Sequence, residues 1–239
     1  MYKHVLLVFV GILKAYPADT DYSKLDARLV RVSEISSKFG LLSVKAPRTD
    51  SEVTYSSLKK AVKLGERFLA SFGISLKTSP VEIIIFEKDV SHIKFPEYIK
   101  KNCHPGWMIP EKIFIVRSRV ERCVEGENFE IKLARVLLHE LGHVVLWRMN
   151  RQIFGDLELN EGFATWFENQ ALDELPRVNE EICDIRQAQD QGRFSWYIRG
   201  SFYYYGFPAR EVFNLIQNGD VNKLKSRFKA GRNKVCDNG

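Results

Sequence analysis

Apolar residues along this chain change period several times, and the changes predict its layout. Alternating or β-branched apolar positions from Ala27 to Ile35 and from Phe39 to Lys45 predict two strands. From Asp50-Ser51-Glu52 onward the period lengthens. Leu58, Ala61, Val62, Leu64, Phe68, Leu69 and Phe72 recur at helical spacing, and Gly73 stands where a helix ends. Val81 to Phe86 is apolar at nearly every position, as expected of a central strand covered on both faces. A short helix interrupted by Pro96 is expected from Ser91 to Lys101, then a loop at Cys103 to Trp107, then a strand at Lys112 to Val116. Two helices follow, Phe129 to Met149 and Asn160 to Leu172, the second with Asn160 as its N-cap. From Pro176 onward the chain reads helical with aromatic interruptions. No repeat, long linker or low-complexity tract divides it. The expected class is α+β: a small mixed β-sheet packed on the 129–149 helix, followed by a mainly helical C-terminal half. Residues 19–239 are read as one domain, β-rich to about residue 127 and helical over 128–239.

The 129–149 helix carries the candidate chemistry. Its segment Leu137-Leu138-His139-Glu140-Leu141-Gly142-His143-Val144-Val145 contains His-Glu-x-x-His. Residues four apart share a helical face, so His139 and His143 can bind one metal ion together. Glu140 follows the first histidine and can reach a water on that metal. Imidazole ligands suit zinc, and a catalytic zinc keeps one position for water. Such a motif arises by chance in roughly one chain in a hundred of this size, so its surroundings decide its meaning. Downstream lies Leu159-Asn160-Glu161-Gly162-Phe163-Ala164-Thr165-Trp166-Phe167-Glu168. Glu161, eighteen positions after His143, supplies a third donor on the next helix. Glu158 precedes the expected N-cap and Glu168 lies two turns beyond Glu161, so both are poorer ligands. Thr165, one turn after Glu161, is placed for a hydrogen bond to that ligand.

These two segments resemble the gluzincin metallopeptidases, and most nearly the short bacterial peptidase-MA-like proteins, distant relatives of the large zinc aminopeptidases. The resemblance spans about residues 75 to 217. It implies a zincin-like domain with one zinc per chain held by His139, His143 and Glu161, and Glu140 as general base. It implies hydrolysis of a peptide or protein substrate. It also implies an oxyanion donor after the third ligand, where Tyr203, Tyr204 and Tyr205 stand together and Tyr204 is preferred. The Gly-x-Met-Glu-Asn segment of the aminopeptidases is absent, so their specificity is not implied. The rival reading is a catalytically inactive zincin-fold binding protein of the cell envelope. In a zinc peptidase of this class an edge strand holds extended substrate by backbone hydrogen bonds; Ile113 to Val116 is a candidate for that role and reads equally well as a plain core strand. His104, in the expected loop, could approach the cleft but is read as a surface residue, and Trp147, Trp166 and Trp196 are read as core.

Bulk properties narrow the partners. The 239 residues carry a net charge of +6, with 45% hydrophobic and 28% charged residues, an ordinary globular balance. The charge is spread along the chain, and no basic helix, finger spacing or aromatic RNA-binding motif accompanies it, so no nucleic-acid partner is expected. Met1-Tyr2-Lys3-His4, the apolar run Val5 to Leu13, and Lys14 to Ala18 resemble a secretory signal over residues 1–18. The run is too short to span a bilayer, so no integral membrane span is expected in the mature chain, and the location is secreted or periplasmic. Cys103, Cys123, Cys183 and Cys236 form no Cys-x-x-Cys, and their even number in an exported chain predicts disulfides. Cys103–Cys123 with Cys183–Cys236 is the preferred of three pairings, because each pair brackets a local segment. Nothing in the sequence fixes an oligomeric state.

Overall fold

The computed structural model describes residues 29–47, 51–88, 104–124, 126–173 and 208–226. In chain order its elements are β1 (Leu29–Ser37), β2 (Gly40–Pro47), α1 (Ser51–Ser71), β3 (Val81–Phe86), β4 (Gly106–Ile109) and β5 (Lys112–Val116). Then come α2 (Arg117–Cys123), α3 (Phe129–Met149), α4 (Arg151–Phe154), α5 (Leu157–Ala171) and α6 (Ala209–Gln217). The class is α+β, with a mixed sheet followed by helices.

The sheet order is β1-β2-β3-β5-β4. β2, β3 and β5 run parallel, and an antiparallel strand closes each side. β3 is central, as its apolar run predicts, and every residue in it except Glu82 is buried. At the β1–β2 turn, Gly40 adopts φ +99°, and an added Cβ would lie 2.1 Å from the Ser79 carbonyl oxygen. Only glycine fits that contact.

β5 is not an edge strand. It lies between β3 and β4, and among the described residues the edge is β4, which the sequence pattern assigns to a loop. β4 is four residues long, too short to establish a period. Its hairpin turn holds Glu111 at φ 67°, a left-handed conformation without the usual glycine or asparagine signal.

One apolar cluster joins sheet and helices. Ile83, Ile85, Ile113 and Ile115 face it from the sheet, Leu58, Ala61, Val62 and Leu69 from α1, and Leu137, Leu138 and Leu141 from α3. α3 is buried on most of its circumference because α1, α2, α5 and β4 all pack on it. At its far end, Arg148 donates to the Phe39 carbonyl and, at 2.9 Å, to the carbonyl and hydroxyl of Ser79. These bonds fix the helix against the sheet in position and rotation. On the other sheet face, Phe114 stacks between Trp107 and Phe86 at 5.0 and 6.5 Å.

The last long helix begins earlier than expected. α5 starts at Leu157, and its N-cap is Asp156, whose carboxylate accepts from the Leu159 amide at 3.2 Å. Asn160 is inside the helix and 5% exposed. Among the described residues no helix is long and apolar enough to cross a membrane. Cys123, the last residue of α2, is disulfide-bonded. The signal at residues 1–18, the 91–101 helix, Tyr203 to Tyr205, Trp196 and the other three cysteines lie outside the described residues.

Candidate metal centre

α3 begins at Asn128, whose side chain accepts from the Ile131 amide at 3.0 Å. Glu130 in its first turn and Arg148 in its last complement the helix dipole. His139 and His143 lie one turn apart, with ring centroids 4.8 Å apart and planes at 86°. The third donor depends on how closely α5 approaches. At Gly142 an added Cβ would lie 2.8 Å from the Ala164 Cα and 3.2 Å from its carbonyl oxygen. The bare glycine lets the two backbones touch, and Glu161 stands one turn before Ala164.

Glu161 Oε2 is 3.4 Å from His139 Nε2 and 3.8 Å from His143 Nε2. All three donor atoms lie within 4.8 Å of one another. Tetrahedral zinc with bonds of about 2.1 Å sets its donors about 3.4 Å apart, so the trio has the right scale for one ion. The backs of both rings are held. His143 Nδ1 donates to Asn160 Oδ1 at 2.8 Å, which leaves Nε2 with the lone pair. His139 Nδ1 faces Glu168 Oε2 at 3.7 Å, and Glu168 Oε1 accepts from Arg135 at 3.0 Å. Both rings thus turn Nε2 toward Glu161.

Asn160 is not the N-cap the sequence reading made it, and Glu168, set aside there as a ligand, indeed lies outside the donor trio, behind the His139 ring. The helical period held the signal for Glu168, since positions seven apart, such as Glu161 and Glu168, share a face. Thr165 hydrogen-bonds Glu161, through the backbone: its hydroxyl donates to the Glu161 carbonyl at 3.0 Å. His104 is not a surface residue. It is half-buried just before β4, and its charge acts on Glu161.

Glu140 is 4% exposed, and its Oε2 has no hydrogen-bond partner among the described residues. An orphaned buried carboxylate oxygen beside two imidazoles and a carboxylate fits a metal carrying a water. The first residue of β4 lies directly against it: a Cβ on Gly106 would be 3.0 Å from Glu140 Oε1. Side chains of His139 and Glu161 keep 21% and 26% exposure, so the donor cluster opens to solvent on one side.

The four groups act on one another through their charges. Burial would lower His139, but its bonds to Glu161 and Glu168 and the Glu140 and Glu161 charges raise it to about 10. Burial pushes Glu140 up to about 8, with the Glu161 and Glu168 charges adding and His139 opposing. Burial drives His143 down to about 4, reinforced by His139 and opposed by Glu161 and Asn160. Burial would raise Glu161, but His143, His139 and His104 outweigh it and hold it at about 2. Perturbed groups of opposite direction in one cluster mark a site candidate.

The chain matches no protein-family model and no curated protein. The functional reading therefore rests on the side chains themselves.

Proposed function

We propose that this protein is a secreted or periplasmic zinc-dependent peptidase of the gluzincin type. The observation that carries the reading is the trio His139 Nε2, His143 Nε2 and Glu161 Oε2 beside the buried carboxylate of Glu140, whose Oε2 has no partner among the described residues. Zinc held there supplies a Lewis acid that acidifies water and polarises a carbonyl. Glu140 accepts the proton of the attacking water and passes it to the leaving amine, so that no charged amide nitrogen has to leave. Asn160 and Glu168 hold the two rings in the ligating orientation. β4 offers its outer edge to an extended peptide, and Gly106 lets β4 pack directly against Val136 and Glu140 of α3, which holds that edge beside the site. The apolar run at Val5 to Leu13 and the disulfide at Cys123 support export to an oxidising compartment.

A mixed peptide library incubated with zinc-reconstituted protein and read by mass spectrometry tests this. The expected result is discrete cleavage that stops on chelation and returns with zinc. Zinc-loaded protein that leaves the whole library intact would leave a metal-binding protein without peptidase activity.

A further inference from the structure

We propose that His104 is a catalytic residue of this site, a strand-side donor whose ring hydrogen-bonds the oxyanion formed when a substrate carbonyl is attacked. This rests on the peptidase reading above. The three donors and the groups behind them come from α3 and α5. His104 comes from the sheet.

Its placement follows from the start of β4. Gly106 lies against Glu140. His104 precedes it by two residues, about 7 Å of extended chain, which is within an imidazole's reach of the reacting centre. The backbone there is pinned at successive residues. The His104 carbonyl accepts from Arg119 at 3.1 Å, and the Pro105 carbonyl accepts from the Val116 amide at 2.8 Å. Arg119 is itself only 4% exposed, so this anchor is built into α2. A histidine held on a pinned backbone keeps its geometry through a reaction, which is what an oxyanion donor requires.

The ring's charge is felt by Glu161, and those of Glu161 and His139 are felt by the ring. Yet His104 is not among the residues whose donor atoms cluster within 4.8 Å. It is therefore a neighbour of the metal site and not a ligand in it. Burial lowers its pKa, His139 and Arg119 act in the same direction, and Glu161 opposes them.

The test uses full-length protein loaded with cobalt, titrated at constant neutral pH with methylphosphonate, a small tetrahedral anion, and followed by cobalt absorption. Wild type and His104→Gln, which keeps an N–H donor, should bind the anion within about threefold of each other. His104→Ala should bind it at least about tenfold more weakly, the weight of a hydrogen bond to a charged acceptor. Cobalt affinity should be unchanged in all three. Equal anion binding by wild type and His104→Ala would overturn the proposal while leaving the metal site intact. So would wild-type protein that takes cobalt but not the anion. Loss of cobalt in His104→Ala would overturn it by making His104 a ligand or a structural residue. A wild-type chain that takes no cobalt would remove the metal reading, and this inference with it.

Discussion

Gly142→Ala should weaken zinc binding much more than it weakens the fold. Two effects compete at this position. Alanine inside a helix is favoured over glycine by about 1 kcal/mol. Against this, the new methyl would lie 2.8 Å from the Ala164 Cα, 3.2 Å from its oxygen and 3.2 Å from the Phe167 Cβ. Carbon atoms in contact rest at about 3.5–4.0 Å, so α5 must retreat by roughly 0.7 Å or more. Overpacking of this kind costs about 1–3 kcal/mol, so the net loss of stability is about 0–2 kcal/mol. Glu161 sits one turn from the contact and moves with α5. Metal bonds tolerate about 0.2 Å, so the site suffers where the fold barely does. Zinc affinity should fall by about 10- to 100-fold, as when a group supporting a ligand is lost. Competition with a chromophoric chelator measures this, alongside thermal melts of the metal-free protein. Gly65→Ala is the control. Its Cβ would meet the ring end of Phe39 at 3.0 Å and side-chain atoms of Leu138 and Phe167 at 3.4 Å, which can give way. Zinc affinity of Gly142→Ala within about threefold of wild type would refute the claim that this contact positions the third ligand.

The groups behind the ligands should matter separately: Asn160→Ala and Glu168→Gln are each expected to lower zinc affinity by about 10- to 100-fold with the donor trio intact, and unchanged affinity in the competition assay would dismiss their positioning role. The metal-free protein should lose stability as pH rises. His139, raised from 6.5 to about 10, contributes stability fully below pH 6.5 and loses it as pH climbs to 10. Glu140, raised from 4.5 to about 8, loses its contribution between those values. His143 and Glu161 are depressed to about 4 and about 2, so their contributions fade only as pH falls through those values. Melting temperature of chelator-treated protein should thus decline from pH 6.5 toward 10, and a rise over that window would contradict the assigned protonation states. Because zinc needs a neutral His139, its uptake near neutrality should release protons into weakly buffered solution.

Period and composition made the helices and the central strand readable. α3 fell at its expected bounds, and β3 was central because five of its six residues are apolar. The two histidine donors were readable for the same reason, since helical spacing alone puts His139 and His143 on one face, whereas Glu161 was read from the resemblance of its segment. What escaped was set by tertiary contact. β4 is too short for a pattern and turns through Glu111 at positive φ, so the edge strand looked like a loop, and of the two readings left open for β5 the core strand holds. Asn160 has a good cap's chemistry, but Asp156 took the cap, and the Asn160 amide serves His143 instead. The approach of His104 depends on Arg119 and on the β4–β5 pairing, neither of which is local in sequence.

The central claim, that Glu140 moves the proton in a zinc peptidase, is tested most directly by Glu140→Gln. The amide keeps the shape of the carboxylate but cannot accept a proton. Wild type and variant are loaded with zinc, assayed for metal content, and compared on the same peptide library. Equal zinc content with cleavage reduced by about a hundredfold or more is the predicted result. Equal zinc content with undiminished cleavage would contradict it.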